Sequence, residues 1–470
     1  MKRILLFAVT AIFVTGCAVG PDYKRPVVKT PEQHRGVLTA ADKKSLADLP
    51  WWEVFKDPTL KDLIDESLRN NLDLKVATAR VEQMRELARI KRGDYYPQIN
   101  YSAVDNYGKN VASYGLPNGK NSNMVMGDVQ MQWELDVWGR VRRASESARA
   151  QYFASIEARR DITLILITEV AKAYFELREL DNELEIAKRT TESFQGTYNM
   201  FTRRYKGGDA SLLESSRAGA SLAQAAADIP DIEAQIFDKE NQINLLLGRV
   251  PAPIPRGQVL TEQYLIPETP AGLPSALLER RPDIRQSEQL LVSANADIGV
   301  AKANFFPQFS LTGLLGTSSP DLKTYSKSWA LGGSVTGPIF NGGKVIANYE
   351  ATKQAYEQIK AEYEKTVLNA LMEVANALTL QQKLVEENLQ QAKAVEFLRK
   401  ATKLANDRYI KGLSSYTEVL DAQQQLFPAE YDLSRTERDR LLAVVQIFKA
   451  LGGGWENPVP QNTEPVVNKK

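Results

Sequence analysis

Histidine and cysteine are almost missing: 470 residues carry one of each, His34 and Cys17. A multi-histidine metal site, a Cys–His nucleophile pair or a disulfide framework is therefore hard to build. Charge of one sign is missing too. Lys and Arg number 59 against 58 Asp and Glu, so no basic footprint points to nucleic acid. A spanning apolar helix is not offered by the N-terminus, because the run at residues 4–14 is far short of the roughly 20 residues required. The glycine-rich stretch GLPNGKN at 115–121 lacks the spacing of a phosphate loop. Proline is absent from 139–206 and from 343–411, which leaves two very long stretches free to be helical.

What is present begins with an address. Lys2 and Arg3 precede the apolar run, and small residues lead to Cys17, the pattern of a secretory signal over residues 1–16. VTGC is similar to the bacterial lipobox, which makes Cys17 the expected lipidated first residue of a mature segment 17–58. Ala18 after it favours the outer membrane in known sorting patterns. A single lipid anchors marginally, so stable residence needs a second device.

The chain is written twice. RYKGGDASLLESS at Arg204 and RYIKGLSSYTEVLD at Arg408 share a layout at an offset of 204, and so do Gly139 with Gly343 and Gly248 with Gly452. Upstream the offset is 210, pairing YYPQI at Tyr95 with FFPQF at Phe305. The six surplus residues of the first copy are expected in the loop 108–123, where length is cheap. The halves read as 59–248 and 275–452, joined by a proline-rich linker 249–274 and followed by a tail 453–470.

Each half pairs a long helix with shorter pieces. Val170, Ala173, Leu177, Leu180, Leu184, Ala187, Phe194, Tyr198, Phe201 and Tyr205 form a coiled-coil-like stripe, which Gln381, Asn388 and Gln391 make more polar in the second copy. The helices 139–206 and 343–411 would each span about 100 Å at 1.5 Å per residue. Helices 210–247 and 413–451 return beside them, with kinks expected at Pro230 and Pro428. The pieces before the strands, 59–95 and 275–305, each read as one helix.

Between helices the period changes to two. Val125, Val129, Met131, Trp133, Leu135 and Val137 alternate with Asp128, Gln130, Gln132, Glu134 and Asp136. Hairpins at about 97–137 and 307–340 follow, with strands of bilayer-spanning length. A sheet with one face in hydrocarbon cannot keep open edges, and four strands cannot close a barrel. Other copies of the chain must therefore complete it, and the polar set becomes the lumen wall. The fold class is a mixed α/β membrane protein: an outer-membrane β-barrel shared between subunits, four strands per chain, with long α-helices, internally duplicated.

CAVGPDYKRP, WWEVFKDPTL, WELDVWGRVRR, GLPSALLERRPDI, IGVAKANFFPQFSLTG, YIKGLSSYTEVLDAQ and ALGGGW together resemble the TolC-like outer-membrane efflux factors, in particular their NodT-type lipoprotein branch. The resemblance spans nearly the whole mature chain. It implies a homotrimer with a twelve-stranded barrel and a coiled-coil periplasmic tunnel. It also implies a periplasmic adaptor, an inner-membrane pump and outer-membrane lipid as partners, with no cofactor beyond the lipid on Cys17.

The duplicated turns then lie at the periplasmic tip. Gly207, Gly208 and Gly412 supply the freedom a helix stop needs. Asp209 is the expected cap in the first copy; Ser414 or Ser415 is expected in the second, with Glu418 at capping-box spacing from Ser415. Glu418 and Asp421, three apart, share a helix face. The family implies a gate of such carboxylates latched by a tyrosine, which places it at Tyr409, Glu418, Asp421 and Glu214. Ser414 stands where some members carry a basic residue. Arg204, Gly207, Gly208, Arg408, Gly412 and Ser415 are the adaptor-facing set. Rival readings are a channel for secreted polypeptide or oligosaccharide, a coiled-coil lipoprotein spacer, and a carboxylate-dependent wall hydrolase. Against the last, the Glu/Asp pairs sit mostly at helical surface spacings, where a solvated face is the default.

Overall fold

A computed structural model describes residues 18–35, 45–109, 119, 121–263, 272 and 274–453. Cys17, the signal segment, most of the loop between the first two strands and the tail lie outside the described residues. In chain order the elements are α1 (Trp51–Val54), α2 (Pro58–Asn70), α3 (Leu72–Gly93), β1 (Gln98–Gly108), β2 (Ser122–Leu135), α4 (Arg140–Gly207) and α5 (Leu212–Leu246). The second copy supplies α6 (Leu277–Arg280), α7 (Pro282–Ala303), β3 (Gln308–Ser319), β4 (Ser326–Thr336), α8 (Lys344–Ile410) and α9 (Tyr416–Ala450). Among the described residues no helix is long and apolar enough to cross a membrane.

The contacts cluster into two compact units, each assembled from both copies. One contains the sheet, Met1–Val28, Ala79–Glu157 and Arg285–Thr366. Its four strands run in the order β1-β2-β3-β4, all antiparallel. The duplication shows in the register, since Gln98 faces Gln132 in one hairpin and Gln308 faces Thr336 at the equivalent positions of the other. A strap formed by residues 18–28 is tied to this unit. Val19 N–H donates to the Trp138 carbonyl at 3.0 Å, and Arg25 makes a bidentate pair with Glu288, both bonds 2.6 Å. Tyr23 also donates to that carboxylate at 3.1 Å. At Gly20 a methyl group would lie 2.6 Å from the Gly299 Cα, so only two glycines allow the strap to lie this close.

The other unit, Lys29–Thr78, Ala158–Ile284 and Val367–Lys470, is helical. The α4 stripe is its seam: Val170, Leu177, Ala187 and Phe201 are nearly inaccessible, while Tyr205, at 44% exposure, has left it. Leu180 and Ala187 pack on Ile232 of α5, an apolar helix pair. The polar positions of α8 face α9 and are used there, Asn388 accepting from Arg440 at 2.9 Å and Gln391 accepting from the Thr436 hydroxyl. Helices α5 and α9 run on through Pro230 and Pro428, so neither proline interrupts its helix.

The pieces expected as single helices are each divided. The break falls at Asn71 in the first copy and at Arg281 in the second, 210 residues on. Each breaking side chain has the same task, because Asn71 Nδ2 donates to the Leu246 carbonyl at 3.0 Å and Arg281 Nη1 to the Ala450 carbonyl at 2.9 Å. These carbonyls close α5 and α9, where helix ends leave acceptors unmet. The linker is held as well, Tyr174 and Gln258 both donating to Asp57.

Candidate functional site

The first candidate surface is the sheet. Residues paired directly across strands share a face, so the register sorts every side chain. One face carries Ile99 and Tyr101 of β1, Val129, Met131 and Trp133 of β2, Leu311 and Leu315 of β3, and Trp329, Leu331 and Val335 of β4. Tyr101 is 87% exposed and Leu331 78%, so nothing among the described residues covers this face. The opposite face carries Asn100, Ser102, Asp128, Gln130, Gln132, Ser310, Thr312, Ser328 and Ser334. Ser102 donates to Asp128 at 2.9 Å across it. Val104, Met126 and Leu314 are apolar exceptions within the polar face.

Two members of the expected wall set have other duties. Asp136 lies beyond the end of β2 and accepts the Val141 and Arg142 backbone N–H groups at 2.9 and 3.0 Å, plus the Arg142 guanidinium. It caps the start of α4, so it is not a wall residue of the strand. Glu134 stays on β2 but is engaged by Arg140, with Nε at 2.7 Å from Oε1. Asp128, Gln130 and Gln132 remain as the polar face proper.

The second candidate surface is the pair of duplicated turns, and here two like sequences behave differently. Gly208 (φ 85°) and Gly412 (φ 69°) both adopt the left-handed conformation that ends a helix. In the first copy Ser211, rather than Asp209, is the N-cap. Its hydroxyl accepts the Glu214 N–H at 3.2 Å while Glu214 accepts the Ser211 N–H at 2.8 Å, a complete capping box. In the second copy Ser415 occupies the N-cap position without any side-chain bond. Glu418 turns instead to Arg408, Oε2 to Nε 3.5 Å. Glu214 is thus committed to its helix end, and Glu418 is not.

Tyr409 ties the turns together. Its hydroxyl accepts from Arg204 Nη1 at 2.6 Å, and its ring packs on Phe201 and Tyr416 with centroids 6.0 and 5.8 Å apart. Phe201 and Tyr416 are themselves edge-to-face at 4.4 Å, in a cluster with Ala218, Ala405 and Val419. Burial pushes the Tyr416 phenol up to about 12, so this cluster holds no charge near neutral pH. Asp421 is exposed on the flank shared with Glu418 and accepts from Gln425 of its own helix, at 3.0 Å. The sequence reading missed the exposed apolar rim. Leu212 and Leu213 (59% and 60%), Ile410 (71%) and Leu413 (64%) border the turns, and apolar residues within a few positions of the helix-stop glycines were the available signal.

Among the described residues no group of three or more His, Cys, Asp or Glu side chains could hold a metal ion. The molecule is therefore read as surfaces, two-faced at the sheet and ion-bearing at the turns.

A family model described as outer membrane efflux protein matches residues 63–249 and 273–453. The cation efflux system protein CusC of Escherichia coli is 33% identical over 463 residues, covering 97% of this chain and 99% of that protein. The toluene efflux pump outer membrane protein TtgI of Pseudomonas putida is 34% identical over 481 residues, covering 98% and 99%. The open state of the Neisseria gonorrhoeae MtrE outer membrane channel matches with a TM-score of 0.83 at 32% identity, covering 93% of this chain and 99% of that one. With matches along nearly its full length, the chain belongs to the outer membrane efflux protein family, and it is an outer-membrane efflux channel.

Proposed function

We propose that three copies of this chain form the exit duct of a tripartite pump, with a periplasmic adaptor and an inner-membrane transporter supplying coupling and energy. The sheet carries this reading. Among the described residues the outer edges of β1 and β4 have no partner strand, while the apolar face is exposed across all four strands. Unpaired amides in hydrocarbon cost several kcal/mol each, so β1 of one copy would pair with β4 of the next. The lipid on Cys17 would add a second hold on the membrane. Passage needs no bond chemistry. The names of the relatives, a cation exporter and a toluene exporter, support small toxic solutes as cargo.

The gate is proposed at Tyr409, Glu418 and Asp421, with Glu214 left to its capping box. Arg204, Gly207, Gly208, Arg408, Gly412 and Ser415, with the apolar rim of Leu212, Leu213, Ile410 and Leu413, would meet the adaptor. Planar-bilayer recordings test this: Asp421→Ala should weaken cation preference, and an unchanged preference would remove the carboxylate from the gate. Trimers surviving mild detergent should be lost when β4 is made unable to pair, as with Trp329→Pro; persistence of the trimer would refute closure through that edge.

A further inference from the structure

The two repeats differ where helix meets sheet. In the first, Arg92 at the end of α3, Tyr95 and Tyr96 after it, and Ser145 and Arg149 of α4 line a cleft of about 680 Å³. The repeat offsets place Lys302, Phe305, Tyr349 and Lys353 at the positions of Arg92, Tyr95, Ser145 and Arg149. In that second repeat the Tyr349 ring packs edge-to-face on Phe305, centroids 5.7 Å apart, and Lys353 pairs with Glu350 at 3.1 Å. An aromatic ring fills the space and a carboxylate neutralises the base. The first repeat has neither device. Ser145 brings no ring, and Glu146, the counterpart of Glu350, is drawn to Arg143 at 2.9 Å. Asp94, the next acid along from Arg92, acts on Arg140. Among the described residues no carboxylate pairs with Arg92 or Arg149, and the Arg149 guanidinium lies over the Phe153 ring at 5.2 Å.

We propose that this cleft holds the phosphate group of a membrane phospholipid from the periplasmic leaflet. Its depth fits a headgroup. The Trp133 indole on the apolar face donates to the Tyr95 carbonyl at 3.0 Å, so the cleft begins where the apolar band ends. Tyrosine and tryptophan gather at that level of a bilayer, and basic pockets beside spanning elements take anionic headgroups. A guanidinium presents paired N–H donors that match phosphate oxygens, and these bonds are charge-assisted. Helical side chains lean toward the N-terminal end, which directs Arg149 toward the sheet. The acyl chains would then run up the exposed face past Ile99 and Tyr101. This inference concerns the membrane fit of one chain and is independent of the gate.

The test is a titration of the detergent-solubilised protein with dioleoyl phosphatidylglycerol, read by native mass spectrometry. Wild type should show one saturable site per chain. Arg92→Ala and Arg149→Ala should each weaken retention about fivefold, as one cation beside an anionic lipid contributes. Lys353→Ala, in the second repeat, should change nothing. Ser145→Tyr carries the second repeat's ring into the cleft and should abolish retention with both arginines intact, which keeps the test valid should an arginine variant misassemble. Dioleoylglycerol, which lacks the phosphate, should not be held. Inorganic phosphate occupying the site while the lipid does not would overturn the membrane source. Loss of assembly in Ser145→Tyr with lipid retention unchanged would assign the cleft to a neighbouring copy and overturn the site. Equal retention in wild type, Ser145→Tyr and the arginine variants would overturn it as well.

Discussion

Asp57 is the residue whose loss should be felt most strongly for its size. It is 1% exposed and serves four donors. As N-cap of α2 it accepts the Thr59 N–H at 2.9 Å, and its other oxygen accepts from the Tyr174 hydroxyl at 2.8 Å, the Gln258 N–H at 3.0 Å and the Gln263 amide at 2.8 Å. Removing a cap of this type costs about 1 kcal/mol. Leaving a buried donor without an acceptor costs about 1–3 kcal/mol, and Tyr174, wholly inaccessible, can find no water in exchange. Asp57→Ala should therefore destabilise the fold by about 3–5 kcal/mol, and Asp57→Asn by less, since a carbonyl oxygen still accepts. Gly257 offers an internal control. A methyl group there would lie 2.6 Å from Asp57 Oδ2 and 2.7 Å from the Tyr174 hydroxyl, so Gly257→Ala should hurt the wild type more than it hurts the Asp57→Ala background. Denaturant unfolding of the detergent-solubilised protein, followed by circular dichroism and by protease cleavage in 249–263, reads both effects. A loss below about 1 kcal/mol for Asp57→Ala would refute the hub, because the cap alone accounts for that much.

Further outcomes follow from other sites. Burial, then the neighbouring Glu183, push the Glu179 carboxyl up to about 8, against the pull of Arg438 and Arg435. A raised carboxyl stabilises below its ordinary range and loses that contribution as pH climbs through about 8. The unfolding midpoint should thus fall between pH 5 and 9, and Glu179→Gln should flatten the slope; an unchanged slope counts against it. Gly248 (φ 69°) and Gly452 (φ 74°) are duplicates, but a methyl at Gly248 would meet the Asn70 carbonyl oxygen at 2.6 Å, whereas one at Gly452 would come no closer than 3.1 Å to Arg281 Cα and Cγ. Gly248→Ala should lower the unfolding midpoint more than Gly452→Ala, and equal losses would show that backbone strain alone decides. Arg25→Ala should expose the strap of residues 18–28 to limited proteolysis, which intact Arg25 resists; equal cleavage would show the Glu288 pair to be incidental. Val129→Arg on the apolar face should reduce membrane assembly in a heat-modifiability assay, at a cost of about 2 kcal/mol or more if it lies near the midplane, whereas Gln130→Arg should not.

Much of the fold was legible because periodicity and repetition carry it. The two-residue period placed Val129 and Gln130 on opposite faces before any register was known, and the register agrees. The offset of 204 located helix stops at Gly208 and Gly412, both in the left-handed region. The break at Arg281 did have a local signal, since Pro282 follows it and a proline disfavours helix in the residue before it. The break at Asn71 has none, because Asn71 does not forbid helix and the break is stabilised by a bond to a carbonyl 175 residues away, a partner that local propensity cannot report. Asp136 was misread for a similar reason, since alternation continues past the end of β2 while the backbone has already turned to present N–H groups to its carboxylate.

The turns show how far repetition can mislead. Ser211–Glu214 and Ser415–Glu418 have the same spacing at equivalent positions, and the sequence suggested the box at the second. The box forms at the first. The difference lies in the arginines that precede them by ten residues. Arg204 is taken up by the Tyr409 hydroxyl, which leaves Glu214 free to close on Ser211. Arg408 has no such tyrosine, because the counterpart of Tyr409 is Tyr205, half exposed and out of the seam, and it draws Glu418 away from Ser415. The carboxylate that completes a helix is thus Glu214, closed on Ser211, while Glu418 lies 3.5 Å from Arg408 instead. A duplicated motif conserves geometry at its glycines, but its chemistry depends on which partner reaches it first.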